Sequence, residues 1–237
     1  VGMNNVATNR VRFLENFYLK GKRSVAKAKA EGPAAYVVPA DDPRPGQAAR
    51  LMRLLQAQGV EIHKADKAFK AGETEFPAGS YIVRMDQPYC RMADMLLDTQ
   101  YFNTAEARPY DDVGWTLGPL FNVKTVRVVD PAVLAAPMTL IKGEAMAPGG
   151  VVRSGSAAAF LINHNAENAL AAFRFKHKDL KIEAAEKDFE AGGKKFNAGT
   201  FVLKASGNPA NLDALLDAAG KEFGLMVSAV PSTPDVL

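Results

Sequence analysis

The sequence lacks several of the features by which a function is usually recognised. It contains one cysteine, Cys90, so no disulfide can form within the chain. It has no apolar run of about 18 residues, so no membrane-spanning helix is expected. No glycine-rich phosphate-binding motif occurs, and the net charge of +3 is small and dispersed. The composition therefore favours neither nucleic acid nor a membrane as a partner.

The sequence does contain an internal repeat at an offset of 120 residues. Residues 60–84 match residues 180–204, with nine of 25 positions identical and seven more conservatively replaced. The identical pairs include Phe69/Phe189, Gly72/Gly192, Phe76/Phe196 and Gly79/Gly199. Because Phe and Gly recur rather than acids, bases or metal ligands, the repeat indicates a shared scaffold.

Each copy has the periodicity of a β-α-β-β-α-β unit. Apolar runs of strand length alternate with amphipathic stretches, which predicts an α/β fold with mixed sheets flanked by helices. The same order is also compatible with ferredoxin-like α+β repeats. We prefer the mixed sheet, because the link between the second and third strands resembles a protruding hairpin arm.

The chain divides into four predicted segments. A long amphipathic helix is expected from about residue 4 to 30, and the connector is expected to add two short strands, around residues 138–142 and 151–152. The segments are a helical lead-in over 1–32, repeat A over 33–130, a connector over 131–157 and repeat B over 158–237. Since the sequence starts near that helix and ends in a proline-containing stretch, we expect a piece excised from a longer protein.

Candidate binding residues lie where the first strand of each copy ends. Asp41 and Asp42 follow the first strand of repeat A, with Arg44 close by, and ligands bind at such edges in open α/β sheets. The corresponding edge of repeat B carries His164 and Glu167, whose His-x-x-Glu spacing occurs in zinc sites. No third ligand accompanies this pair, and Glu167 could instead serve a helix N-terminus, so no metal site is predicted.

Two further residues have a chemical and a structural interpretation. Trp115, in a Pro/Gly-rich segment that only repeat A contains, suits either a ligand-contact surface or a packed loop anchor. Cys90 lies near a helix start, but its sequence context has no glycine-flanked elbow of the kind a nucleophile prefers, which favours a packed thiol. No catalytic residue is predicted, and the basic cluster over residues 20–29 is interpreted as a solvated helix face.

Long stretches of the sequence resemble one particular family. They are FLENFYLKGKRSVAKA, EGPAAYVVPADDPRPGQAARLMRLLQAQGVEIHKA, FPAGSYIVRMDQPY and RPYDDVGWTLGPLFNVKTVRV. Together they are similar to large bacterial proteins of the zinc carboxypeptidase class, over about residues 4 to 230. In that family a carboxypeptidase domain comes first, then a region like this one, then a module resembling class I glutamine amidotransferases.

The resemblance implies a context for the chain more than a site within it. None of the family's zinc ligands, its substrate-binding Arg or its catalytic Glu maps onto this sequence, so zinc is expected in the parent's peptidase domain and no cofactor here. The implied function is a non-catalytic accessory domain that supports or positions the peptidase, with neighbouring domains of the same chain as partners. The implied location is the periplasm or the exterior of the cell.

Two alternatives to the accessory role remain open. One is a peptide- or glycan-binding module that uses Asp41, Asp42, Arg44, His164 and Glu167 at the strand edges, or the Trp115 loop. The other is an amidotransferase-like hydrolase that depends on Cys90, which the sequence context disfavours.

Overall fold

The computed structural model describes residues 2–99, 105, 116–153 and 155–235. The α-helices are α1 (Gly2–Thr8), α2 (Arg10–Ala30), α3 (Pro45–Ala57), α4 (Cys90–Leu97), α5 (Leu117–Leu120), α6 (Asn168–Lys176) and α7 (Leu212–Phe223). The first strands are β1 (Ala35–Val38), β2 (His63–Ala65), β3 (Phe69–Ala71), β4 (Thr74–Phe76), β5 (Tyr81–Arg84), β6 (Val126–Val128) and β7 (Met138–Leu140). The later strands are β8 (Gly150–Val152), β9 (Ala159–Ile162), β10 (Glu183–Ala184), β11 (Phe189–Ala191), β12 (Lys194–Phe196), β13 (Phe201–Lys204) and β14 (Met226–Val230).

The chain forms two compact units. The first comprises residues 1–42 and 51–145, and the second comprises residues 43–50 and 146–237. The first six residues of α3, 45–50, are therefore a part of the second unit, and the rest of that helix is a part of the first. Each unit is built on one five-stranded sheet and one two-stranded hairpin.

The sheet of the first unit has the strand order β6-β1-β5-β2-β7, and every pairing in it is antiparallel. The strand β1, which lies between β6 and β5, is buried along its whole length. One set of its side chains, Ala35 and Val37, faces a cluster that includes Phe76 and Val133. Strand side chains alternate between the two faces of a sheet, which is why an unbroken apolar run suits a strand covered on both sides.

The sheet of the second unit has the order β10-β13-β9-β14-β8. Its first four strands pair antiparallel, and β8 joins β14 in parallel. This sheet is therefore mixed, as the sequence predicted. The two short strands predicted in the connector are β7 and β8, and each unit receives one of them.

Four strands of each sheet follow the same spatial order. Numbered by their place in the β-α-β-β-α-β series, the strands lie side by side in the order fourth, first, third, second. These are β6-β1-β5-β2 in the first unit and β14-β9-β13-β10 in the second. The third strand separates the two strands that a helix connects, which is the split β-α-β arrangement of ferredoxin-like units. The predicted α/β fold is confirmed. The order of its antiparallel strands is that of the ferredoxin-like repeats, the alternative that the sequence left open.

Helices cover one face of each sheet. In the second unit, Phe160 and Ile162 of β9 pack against Leu170 and Phe173 of α6 and against Leu216 of α7. In the first unit, the phenol of Tyr36 on β1 donates a 2.8 Å hydrogen bond to Asp94 of α4. That carboxylate also accepts a 3.0 Å bond from Lys27 of α2, so the lead-in helix is joined to the same layer. Burial and the Asp94 charge raise the pKa of Tyr36.

The hairpins cover the opposite face, so the prediction of a protruding arm was wrong. In the second unit, Ala159 and Leu161 of β9 pack against Phe196, with Phe189 beside it. The Phe189 and Phe196 rings stack at 5.2 Å, and the corresponding rings of β3 and β4 stack at 5.1 Å. Burying these rings removes a large apolar area from water, which an extended arm would leave exposed.

Candidate functional site

The turn after β1 separates the two candidate aspartates. Asp42 is buried, and one of its carboxylate oxygens accepts a 2.8 Å hydrogen bond from the backbone N–H of Lys124. Asp41 is exposed. Asp42 therefore secures the segment that leads into β6, whereas Asp41 is available at the surface of the first unit.

Asp41 borders a cleft of about 410 Å³ in the first unit. The other lining residues are Ala68, Phe69, Lys70, Glu75, Phe76 and Pro77 of the β3–β4 hairpin. The buried Ser80 positions the two walls, since its hydroxyl accepts a bond from the Ala40 N–H at 3.1 Å and donates one to the Pro77 carbonyl at 2.7 Å. The cleft combines an aromatic ring with charges of both signs, which suits a polar ligand with an apolar face.

Arg44 and Glu167 both make hydrogen bonds around the first turn of α3, within the second unit. Oε1 of Glu167 accepts hydrogen bonds from the backbone N–H groups of Gly46, at 2.9 Å, and Gln47, at 3.3 Å. Nε of Arg44 donates a 2.8 Å bond to the carbonyl of Asn165. A carboxylate at the N-terminus of a helix satisfies orphan N–H groups and complements the helix dipole. Glu167 thus caps α3, although its own backbone lies at the start of α6, where its side chain makes no capping bond.

His164 is exposed beside the β12–β13 turn. Its backbone carbonyl accepts a 2.8 Å bond from Nδ2 of Asn197, and its ring lies against Gly199. A Cβ added at Gly199 would stand 3.2 Å from the His164 ring, and the φ of +85° at this glycine is strained for other residues. Gly199 therefore permits both the turn and the close approach of the ring.

His164 and Glu167 do not fit a zinc site. A zinc site needs three or four converging donors, but the Glu167 carboxylate is engaged by the amides of α3. Among the described residues, no three His, Cys, Asp or Glu side chains are grouped so that they could hold a metal ion. The structure therefore gives no support for metal chemistry at His164 and Glu167.

Cys90, the first residue of α4, packs against α2. Its side chain is 1% exposed, and its thiol donates a 3.2 Å bond to the carbonyl of Ser24. Burial raises the pKa of the Cys90 thiol, whereas an activated nucleophile needs a lowered one. Arg91 donates to the Ser24 hydroxyl at 3.0 Å, so this short segment fixes α4 against the lead-in helix. The environment of Cys90 does not favour a cysteine-dependent hydrolase.

The sequence interpretation missed an apolar surface on α1 and α2. The sequence predicted an amphipathic helix here, with its basic cluster in solvent, but the large apolar side chains are exposed as well: Met3, Val6, Val11, Phe13, Leu14, Phe17, Tyr18, Leu19 and Val25. In α2 only Ser24 and Ala28 are buried. The recurrence of Phe and Leu at three- and four-residue spacing was visible in the sequence, but it predicted a helix without showing that most of its apolar face would stay uncovered.

Trp115, the last of the predicted binding residues, lies outside the described residues. Within the described part of the chain, no helix combines the length and the apolarity that crossing a membrane requires. No family model, curated protein or solved structure matches the chain.

Proposed function

We propose that this chain is a non-catalytic accessory module that supports or positions a zinc carboxypeptidase by contact with neighbouring domains of the same protein. The observation that carries the proposal is the exposed apolar surface of α1 and α2. Phe17 is 76% exposed, and Leu14 and Tyr18 beside it are also mostly exposed. Contiguous apolar surface of this kind marks a contact site. The resemblance of the sequence to the region that follows the peptidase domain suggests which partner this is.

The site chemistry supports a scaffold role in this proposal. Asp42 and Glu167 accept hydrogen bonds from backbone N–H groups, and the Cys90 thiol is held against a buried carbonyl. These groups stabilise turns and helix ends. The zinc that the resemblance implies belongs, in this proposal, to the peptidase domain, and the parent protein is exported to the periplasm or beyond the cell.

The proposal is tested with the peptidase domain encoded in the same reading frame. We expect the two proteins to form a complex by analytical ultracentrifugation and calorimetry, and Phe17→Ser to weaken it. The matched control is Phe175→Ser on α6, because Phe175 is 73% exposed but lies in the other unit. A reading frame without a zinc carboxypeptidase signature would contradict the proposal. So would peptide hydrolysis by the isolated chain with Zn²⁺ that His164→Ala abolishes.

A second candidate function is the binding of a peptide or glycan in the cleft beside Asp41. The cleft volume is within the range that small ligands occupy, and Phe69 and Lys70 supply a ring and a cation. Titration with peptides and cell-wall fragments by calorimetry tests this function. Heat of binding that Asp41→Ala reduces, with Asp66→Ala unchanged, would support it. Equal binding by both variants would contradict it.

A further inference from the structure

One side of α2 packs against the rest of its unit only near the C-terminal end of the helix. Phe17, Gly21, Ser24 and Ala28 are spaced at i, i+4, i+7 and i+11 and therefore form one stripe along the helix. Ser24 and Ala28 are buried, whereas Gly21 is partly exposed and Phe17 is largely exposed. The stripe that anchors the helix to its unit thus continues, without cover, for two further turns.

The uncovered part of the stripe borders a groove of about 720 Å³. Its lining is mostly apolar on the helix side and includes Phe17, Tyr18, Gly21, Lys22 and Val25, with Asp86 and Pro88 opposite. A Cβ built on Gly21 would meet no atom within 4 Å, so the floor of the groove is open. A small residue between larger apolar ones allows a second helix to approach closely.

The wall opposite α2 is held in place by side-chain hydrogen bonds. Gln87 is buried, and its amide donates to the carbonyls of Glu61, at 3.1 Å, and Arg84, at 2.6 Å. The Arg84 guanidinium binds Asp86 through two hydrogen bonds of 2.9 and 2.7 Å. A groove whose wall is already ordered loses little conformational entropy on binding, which favours a partner whose surface is complementary in shape to the groove.

The charged residues of α2 are almost all positive. The helix carries seven basic residues and one acidic residue, Glu15. The rest of the chain has 22 basic and 25 acidic residues and is therefore net negative. Positive charge is thus concentrated on the element that bears the uncovered apolar stripe. An acidic partner surface is complementary to it, whereas the α2 helix of a second copy would bring like charge.

We infer that the groove receives an amphipathic helix with an acidic flank, whose apolar side chains pack over Gly21 between Phe17 and Pro88. Lys22 at the groove edge pairs with the carboxylates of that flank. This inference rests on the proposed function and specifies the surface that the neighbouring domain presents. The concave shape and the ordered wall favour such a helix over the flat headgroup layer of a membrane.

The test compares four probes by fluorescence anisotropy or co-sedimentation. They are the peptidase domain of the same reading frame, a labelled helical peptide with a leucine stripe flanked by glutamates, the same peptide with lysines instead, and vesicles of phosphatidylcholine and phosphatidylglycerol. We expect the glutamate peptide to bind at least tenfold more tightly than the lysine peptide. Phe17→Ser, Gly21→Leu and Lys22→Glu should each weaken binding about tenfold, with Phe175→Ser unchanged. These side chains are exposed or partly exposed, so folding should be retained, and circular dichroism checks that it is.

The outcomes separate this inference from the proposed function. If the peptidase domain binds but Phe17→Ser and Lys22→Glu bind as well as the unaltered chain, the inference is overturned and the proposed function stands. If the glutamate peptide binds in the groove and the peptidase domain does not bind, the inference stands and the proposed function fails. Equal binding of the two peptides, or binding to vesicles without binding to the glutamate peptide, overturns the inference.

Discussion

Replacing Glu167 tests whether this residue is a structural cap. Its Oε1 accepts two backbone N–H groups at the start of α3, and the side chain is 8% exposed. Loss of an N-terminal cap typically costs about 0.5–2 kcal/mol, and hydrogen bonds to a charged group contribute about 1.5–3 kcal/mol. Gly46 and Gln47 are partly exposed, so water would replace part of what Glu167→Ala removes. We therefore expect Glu167→Ala to lower the free energy of unfolding by about 2 kcal/mol.

Glu167→Gln separates the hydrogen bonds from the charge. The amide oxygen of Gln can accept the same two bonds, but it lacks the negative charge that favours a helix N-terminus, a contribution of about 0.3–1 kcal/mol. We expect Glu167→Gln to lower the free energy of unfolding by about 1 kcal/mol, half the loss in Glu167→Ala. Glu186→Ala is the control, because Glu186 is an exposed carboxylate of the same unit.

The assay is urea unfolding followed by circular dichroism, with the slope of free energy against urea compared across the variants. An unchanged slope shows that the variants expose the same surface on unfolding. A Glu167→Ala protein within about 0.5 kcal/mol of the unaltered chain, the range typical of surface substitutions, would refute the capping role. A Glu167→Gln loss equal to that of Glu167→Ala would show that charge alone accounts for the effect.

The contacts of Cys90, Asp86 and Phe196 each have a measurable consequence. Native Cys90 should react with iodoacetamide at least tenfold more slowly at pH 7.5 than the urea-unfolded chain, since burial raises its pKa; equal rates would contradict the packing. The hydrogen bonds from Arg84 lower the pKa of Asp86, so the stability this carboxylate adds is present above the ordinary pKa of about 4 and is lost as pH falls below it. The stability difference between the unaltered chain and Asp86→Asn should therefore shrink in acid; a constant difference would exclude this linkage. Phe196→Ala should cost about 3–5 kcal/mol by thermal unfolding, because the ring fills the hairpin face; a loss below about 1 kcal/mol would show that the hairpin is not part of the core.

Local patterns predicted most of the secondary structure. Strands were predicted in the apolar run before Asp41 and over residues 80–85, and helices in the periodic segments that end near Gly59 and Gly224; all four are present. These elements were predictable because the period of apolar residues reflects which face is buried. The single long helix predicted from about residue 4 is interrupted at Asn9, which the periodicity did not indicate.

The pairing of the strands could not be read in the same way. Short strands buried on both faces are typical of parallel sheets, yet these sheets are largely antiparallel. The reason is that a hairpin from the same unit covers the face that helices leave open. The phenylalanines that recur in both copies, such as Phe189 and Phe196, could have indicated that the hairpin packs on the sheet. In an arm exposed to water, these rings would bury no apolar surface. The hydrogen bond that the Gly46 N–H donates to Glu167 links residues 121 apart, and no local pattern reveals such a partner.

The connector gives β7 to the first sheet and β8 to the second, and this determines where the chain can be cut without separating paired strands. β7 ends at Leu140 and β8 begins at Gly150, so the nine residues between them separate all the strands of one sheet from all the strands of the other. A protease that cleaves there severs no strand from a neighbour with which it pairs. Both fragments would keep five-stranded sheets, and the nicked protein would retain every inter-strand hydrogen bond while its chain is in two pieces.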